Sequence, residues 1–391
     1  MTHVVRSIAR VVALALAFAS AAPAAAADPV RIDVIVSLTG PGSFAGASEK
    51  AALEAFQAYV NKNGAIRGRR LEFVFSDDQS NPQTAVQLTN GAIANKVNVV
   101  LGSALTATCN AMAALAKNGP VIYCFSGGYQ PVAGSYTFGG SISSTYLIGA
   151  GVRYLRMRNL RKIAVITTTD STGQDGERAV TEAAAASENT GVSIVERVHF
   201  NASDVTVNAQ MARIKAAAPD ALIAWTTGTP LATVLRGMTD AGLQNLPVLV
   251  SSGNAAYAQL KQYESFMPKE FLVPSGGVLA PDKIADRRQR AAADAVFAAM
   301  APRKPDFLSI TAWDPALIVV TALRQAGPDA PPERLRATIE NLKGFVGVNG
   351  PYNFAAVPNR GTDQRAVYIV RYNAASSSFT GVSKAGGDPA R

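Results

Sequence analysis

Histidine and cysteine are nearly missing from this chain, which holds only two of each among its 391 residues: His3, His199, Cys109 and Cys124. A histidine-pair metal site or a Ser-His-Asp triad would therefore hang on His199 alone once the N-terminal leader is set aside. His199 closes a predicted strand and reads as structural. The chain also lacks a Gly-x-Ser-x-Gly elbow, a phosphate-binding P-loop and a paired-cysteine metal motif, so neither catalysis nor a bound cofactor is expected. Charge is sparse too: 17% of residues are charged against 48% hydrophobic, which excludes a disordered chain and suits a packed one. The formal charge of +9 is scattered. Its only tight clusters, Arg67, Arg69 and Arg70 and then Arg287, Arg288 and Arg290, read as solvated faces and not as a nucleic-acid site. No repeat of 20 to 50 residues marks a solenoid.

What is present begins with an export signal. Arg6 and Arg10 precede an apolar stretch over 11–18, and small residues follow up to Ala25-Ala26-Ala27. The apolar stretch is about ten residues long, whereas a spanning helix needs roughly 20, so cleavage after Ala27 into the periplasm is the expectation. No cysteine lies near that point to carry a lipid. The remaining residues suffice for two domains. Export would place Cys109 and Cys124 where disulfides persist, and they enclose a loop of about 15 residues. A disulfide and two separately buried thiols both remain open.

From residue 31 onward, short β-branched runs alternate with amphipathic stretches, the pattern of a doubly wound parallel sheet. Predicted strands cover 32–37, 71–76, 97–101 and 121–125, with a helix over 46–61 and another entered at Asn81-Pro82. A second series follows: helix 145–157, strand 162–168, helix 173–189, strand 192–198, helix 205–217, strand 221–225, helix 230–241 and strand 248–250. The last third carries helices near 285–300, 314–326 and 333–342, then short strands after Gly350. Asp314-Pro315 reads either as an N-cap with proline at the first helical position or as a kink in a helix starting at Ser309.

Several loops between strand and helix are candidates for a site. The run from Gly40 to Gly46 resembles a dinucleotide-binding loop only superficially, because its spacing is one residue too long and no acid follows about 20 positions on. It reads instead as the wall of a cleft. Ser103, Ala104 and Thr106 follow a strand and open a helix, where unpaired N–H groups attract an anion. Ordinary N-capping by Thr106 and Thr108 is the competing reading. Ser126, Gly127 and Gly128 follow the next strand and should lie nearby, at the carboxyl ends where open α/β sheets bind ligands. Phe44, Trp225 and Tyr257 belong either to the core or to a stacking surface for an aromatic solute.

These features together resemble the periplasmic branched-chain amino acid binding proteins, the leucine-isoleucine-valine type of type I periplasmic binding protein. The residues carrying the likeness are Thr39-Gly40-Pro41 after the first strand, the turn from Asn63 to Gly68, Asp77-Asp78 with Asn81-Pro82, Gly173-Gln174-Asp175-Gly176, and Leu235-Arg236 with Ala241-Gly242-Leu243. The resemblance implies an α/β fold of two doubly wound lobes joined by a three-strand hinge. Lobe 1 would take residues 28–143 plus 274–349, and lobe 2 residues 144–273 plus 350–391, after a signal peptide over 1–27. It also implies a monomer that binds a small-molecule carboxylate and delivers it to the permease subunits of an ABC importer. A sensory module would use the same cleft, and sequence does not separate the two.

Carried over residue by residue, Thr106, Ser126 and the backbone of Gly128 match the family's carboxylate-holding positions. The second lobe departs from the pattern. Where the family places an acid after the strand over 248–250, to neutralise a ligand ammonium, this chain reads Ser251-Ser252-Gly253-Asn254. The tyrosine expected before Gly173 is Thr172, and the one expected near Thr227 is lost. Thr172, Thr227, Ser252 and Asn254 are therefore the second lobe's candidate contacts. An ammonium buried without a counter-charge would cost several kcal/mol, which favours an aromatic or other organic acid. Asp170 or Asp175 could still supply a carboxylate from another direction, which keeps the amino-acid option open.

Overall fold

The computed structural model describes residues 28–390, so the proposed signal peptide lies outside the described residues. Five parallel strands form the first sheet: β1 (Val30–Val36), β2 (Leu71–Asp77), β3 (Val99–Leu101), β4 (Val121–Cys124) and β5 (Thr137–Gly139). Their order is β2-β1-β3-β4-β5. Val, Ile and Leu dominate these strands because helices cover both faces of a parallel sheet, which leaves no face for polar residues.

The second sheet repeats that winding. It contains β6 (Lys162–Thr168), β7 (Ser193–Phe200), β8 (Ala221–Trp225), β9 (Val248–Val250) and β10 (Phe271–Ser275), in the order β7-β6-β8-β9-β10. Two antiparallel strands, β13 (Tyr368–Asn373) and β14 (Ser378–Gly381), extend it beyond β10. A small hairpin pairs β11 (Val346–Gly347) with β12 (Gly350–Pro351). The chain passes between the two sheets after β5, after β10 and after β12. Both lobes thus have a topological switch point, β1/β3 in one and β6/β8 in the other, where open sheets bind ligands.

Helices fall where cap chemistry starts them. Before α2 (Pro82–Ala94), the Asn81 side chain accepts from the amides of Gln83 at 2.8 Å and Thr84 at 3.2 Å, as the Asn-Pro pair suggested. Four further helices matter below: α1 (Ser43–Lys62), α3 (Thr106–Ala113), α4 (Ser144–Met157) and α5 (Ser171–Ala185). The helix expected to start at Asp314 or Ser309 is α10 (Phe307–Ala326), with Pro315 inside it. The earlier start has a local cause. Asp306 accepts from the Ser309 amide at 2.8 Å while the Ser309 hydroxyl faces the Asp306 amide, closing a capping box. Phe56 of α1 meets Trp313 of α10 edge to face at 4.9 Å, joining this late helix to the first sheet's layer.

Cys109 and Cys124 are free thiols, both buried, so of the two readings the second holds. The Cys109 thiol points at the Ser103 carbonyl, 3.0 Å away, and that of Cys124 at the Cys109 carbonyl.

Candidate functional site

Thr106 and Ser126 come together because β3 and β4 are neighbours and each loop leaves its strand at the carboxyl end. Their hydroxyl oxygens lie 2.9 Å apart, and the Gly128 amide donates to Ser126 Oγ at 3.2 Å. The N-cap of α3 is Leu105, with no side-chain cap, and Thr108 turns back to donate to the Leu105 carbonyl at 2.8 Å. The capping reading of Thr106 therefore fails. Its hydroxyl is left for the recess, beside the positive end of the helix.

A recess lies between the lobes and is lined by residues of both. Of the sequence-based candidates, Ala104, Thr106, Ser126, Gly127, Gly128, Thr172, Thr227 and Ser252 line it. Thr227 and Ser251 follow β8 and β9, the second lobe's counterparts of β3 and β4, and their hydroxyl oxygens lie 3.4 Å apart. Phe125, Leu147, Trp225, Phe307 and Leu308 supply its apolar walls.

Three candidates are not brought there. Ser103 is fully buried behind the loop, its carbonyl accepting from the Phe125 amide and its hydroxyl 3.5 Å from that of Ser37. Asn254 is also fully buried, holding the turn after β8 by accepting from the Gly228 amide at 2.9 Å and donating to the Thr226 carbonyl at 2.6 Å. Phe44 lies in a different groove with Tyr257, Met300 and Lys304. Trp225 is both core and wall, with 2% of its surface exposed.

Two charged residues shape the electrostatics. Asp175, on the first turns of α5, lines the recess with 8% of its side chain exposed. Its Oδ1 accepts from Arg178 Nη2 at 2.6 Å and from Gln130 Nε2, on the other lobe, at 3.4 Å. Its Oδ2 is buried with no hydrogen-bond partner. The second residue, Arg360, was not foreseen at all. Its guanidinium is buried on the segment after β12, donates to the carbonyls of Tyr129 and Ser141, and lies against Gly139. Burial lowers its pKa to about 10, so it remains a cation at neutral pH behind the first lobe's wall. No sequence motif marked it, because the partners that bury it come from a segment more than 200 residues away.

Comparison with known proteins agrees with this layout. A family model described as periplasmic binding protein matches residues 29–377. The Leu/Ile/Val-binding protein homolog 3 of Brucella melitensis is 33% identical over 94 residues, a match spanning 24% of this chain and 24% of that relative's length. The leucine-, isoleucine-, valine-, threonine- and alanine-binding protein of Pseudomonas aeruginosa is 22% identical over 348 residues, covering 82% of this chain and 86% of the relative. Among solved structures, a Rhodopseudomonas palustris ABC-transporter solute-binding protein in complex with benzoate superposes with a TM-score of 0.75 at 18% identity, covering 93% of this chain and 97% of that one. A Streptococcus pneumoniae branched-chain amino acid transporter substrate-binding protein in complex with isoleucine gives 0.75 at 18%, covering 91% and 99%. The two-lobed fold is thus shared, and the chain belongs to the periplasmic binding protein family, whose members bind solutes and are not enzymes.

Proposed function

We propose that this chain is the periplasmic solute-capturing component of an ABC importer, taking a small molecule by its carboxylate between the two lobes and presenting it to the permease subunits. The observation that carries this reading is the hydroxyl pair of Thr106 and Ser126 beside the Gly128 amide, at the uncapped start of α3. Such groups hold an anion by charge-assisted hydrogen bonds, and the buried Arg360 behind them adds a favourable field. In this reading lobe 1 takes residues 28–143 plus 274–349, and lobe 2 takes residues 144–273 plus 350–391. The protein would act as a monomer, after removal of residues 1–27, with no nucleic-acid partner.

The apolar walls and the absence of an acid in Ser251-Ser252-Gly253-Asn254 support an aromatic or other organic acid as the solute. Asp175 favours a second reading, an amino acid, since it puts a carboxylate on the second lobe's side of the recess. Thermal shift with benzoate, hydroxybenzoates and branched-chain amino acids separates these classes. A solute at about 100 times its dissociation constant adds roughly 2.7 kcal/mol, a rise of several degrees in melting temperature. No rise with any carboxylate would contradict the proposal.

A further inference from the structure

Asp175 Oδ2 is an acceptor that lacks a hydrogen, held against the place where the ligand's carboxylate is expected. A Cβ placed on Gly128 would lie 2.4 Å from Thr106 Oγ1 and 3.0 Å from Asp175 Oδ2, so both oxygens face one carbon-sized point. The arrangement is fixed from behind, because Arg178 and Gln130 both engage Oδ1 and leave Oδ2 turned to the recess. A ligand carboxylate accepting from Thr106 would put its charge next to a second buried carboxylate. Like charges at that range repel strongly unless a proton-bearing group lies between them. A donor on the atom beside the ligand's carboxylate removes the conflict and gives Oδ2 its missing partner.

We infer that Asp175 selects solutes carrying a hydrogen-bond donor, hydroxyl or ammonium, next to their carboxylate. This rests on the carboxylate reading above and narrows it: a bare acid is the poor ligand, and a hydroxy acid or amino acid is the good one. Ser251 to Asn254 carry no acid, so within the second lobe the donor-reading role falls to α5.

The test is isothermal titration with two matched series: 4-methylpentanoate, 2-hydroxy-4-methylpentanoate and leucine, and phenylacetate with 2-hydroxy-2-phenylacetate. In the wild-type protein, a donor-bearing member should bind about tenfold or more tighter than its donor-free partner. Asp175→Ala should level that ratio. Asp175→Asn, whose amide oxygen still accepts, should retain a preference for hydroxyl and lose one for ammonium, which tells the two donor sources apart. Donor-free acids binding as tightly as their partners, or a ratio untouched in Asp175→Ala, would overturn the inference while leaving the carboxylate site standing. Binding of none of the five would overturn the carboxylate reading and this inference together. The wild-type ratios need no variant to fold.

Discussion

Thr106 and Gly128 make opposite contributions to the recess, one by what it offers and the other by what it leaves out. Thr106→Ala removes a donor to the carboxylate and should weaken solute binding by about ten- to a hundredfold, given about 1.5 to 3 kcal/mol for a hydrogen bond to a charged group. Gly128→Ala would set a methyl group 2.4 Å from Thr106 Oγ1, so the Thr106 side chain must turn away from its place beside Ser126, and solute binding should be lost. Both variants should keep the wild-type circular dichroism spectrum, because the altered groups face the recess. Titration with the solute identified by thermal shift checks both, and unchanged affinity in either would remove that residue from the site. At this scale the sequence was most informative about placement, since Thr106, Ser126 and Gly128 follow neighbouring strand ends and are brought together there. It failed for Ser103 and Asn254, which sit at equally suitable chain positions, because a polar side chain at a strand end can turn inward to satisfy the loop behind it. Asp175 was legible only as an alternative, since its direction depends on how α5 meets the other lobe.

The helices show why some elements could be read and others could not. In each lobe, the helix that follows the first strand carries a glycine against that strand's end: a Cβ on Gly46 would lie 2.0 Å from the Ser37 carbonyl oxygen, and one on Gly173 would lie 1.7 Å from that of Thr168. These two glycines let α1 and α5 begin directly over the strand ends, which brings Thr172 and Asp175 to the recess. The strands β5 and β10 were missed because Gly139 ends the one and Pro274 interrupts the other, residues that argue against a strand in sequence. In α10 a proline obscured a helix whose true start is the box at Asp306. There Asp314 has another task, accepting from the amides of Val348 and Asn349 at 3.0 Å each and from the Tyr352 hydroxyl at 2.9 Å, which fastens α10 to the hairpin of β11 and β12. Burial nonetheless pushes the Asp314 carboxyl from its ordinary 3.8 up to about 6. Between those values the folded chain holds a proton that the unfolded chain has released. Its stabilising contribution is therefore complete below about pH 4 and is lost as pH rises towards 6. Melting temperatures measured from pH 4 to 7 should show this loss in the wild-type protein and a smaller one in Asp314→Asn, where the buried and likewise raised carboxyls of Glu49 and Asp306 still contribute. Parallel curves would contradict it.

For the molecule as a whole, the repeated strand order is the feature that makes a site between lobes. Each sheet ends its central strands towards the other, so hydroxyl-bearing loops from both meet in one gap, and three passages of chain join the lobes. The alternation of strand and helix made both windings legible. The position of Arg360 was not, because it depends on the third passage crossing behind the first. The most direct measurement is the structure of the protein with the solute that co-purifies from its host. A carboxylate within hydrogen-bond distance of Thr106 Oγ1, Ser126 Oγ and the Gly128 amide, with atoms of both lobes around the rest of the molecule, is the expected result. A solute seated in the groove of Phe44 and Tyr257, or one reaching the recess with no anionic group at Thr106, would contradict the account.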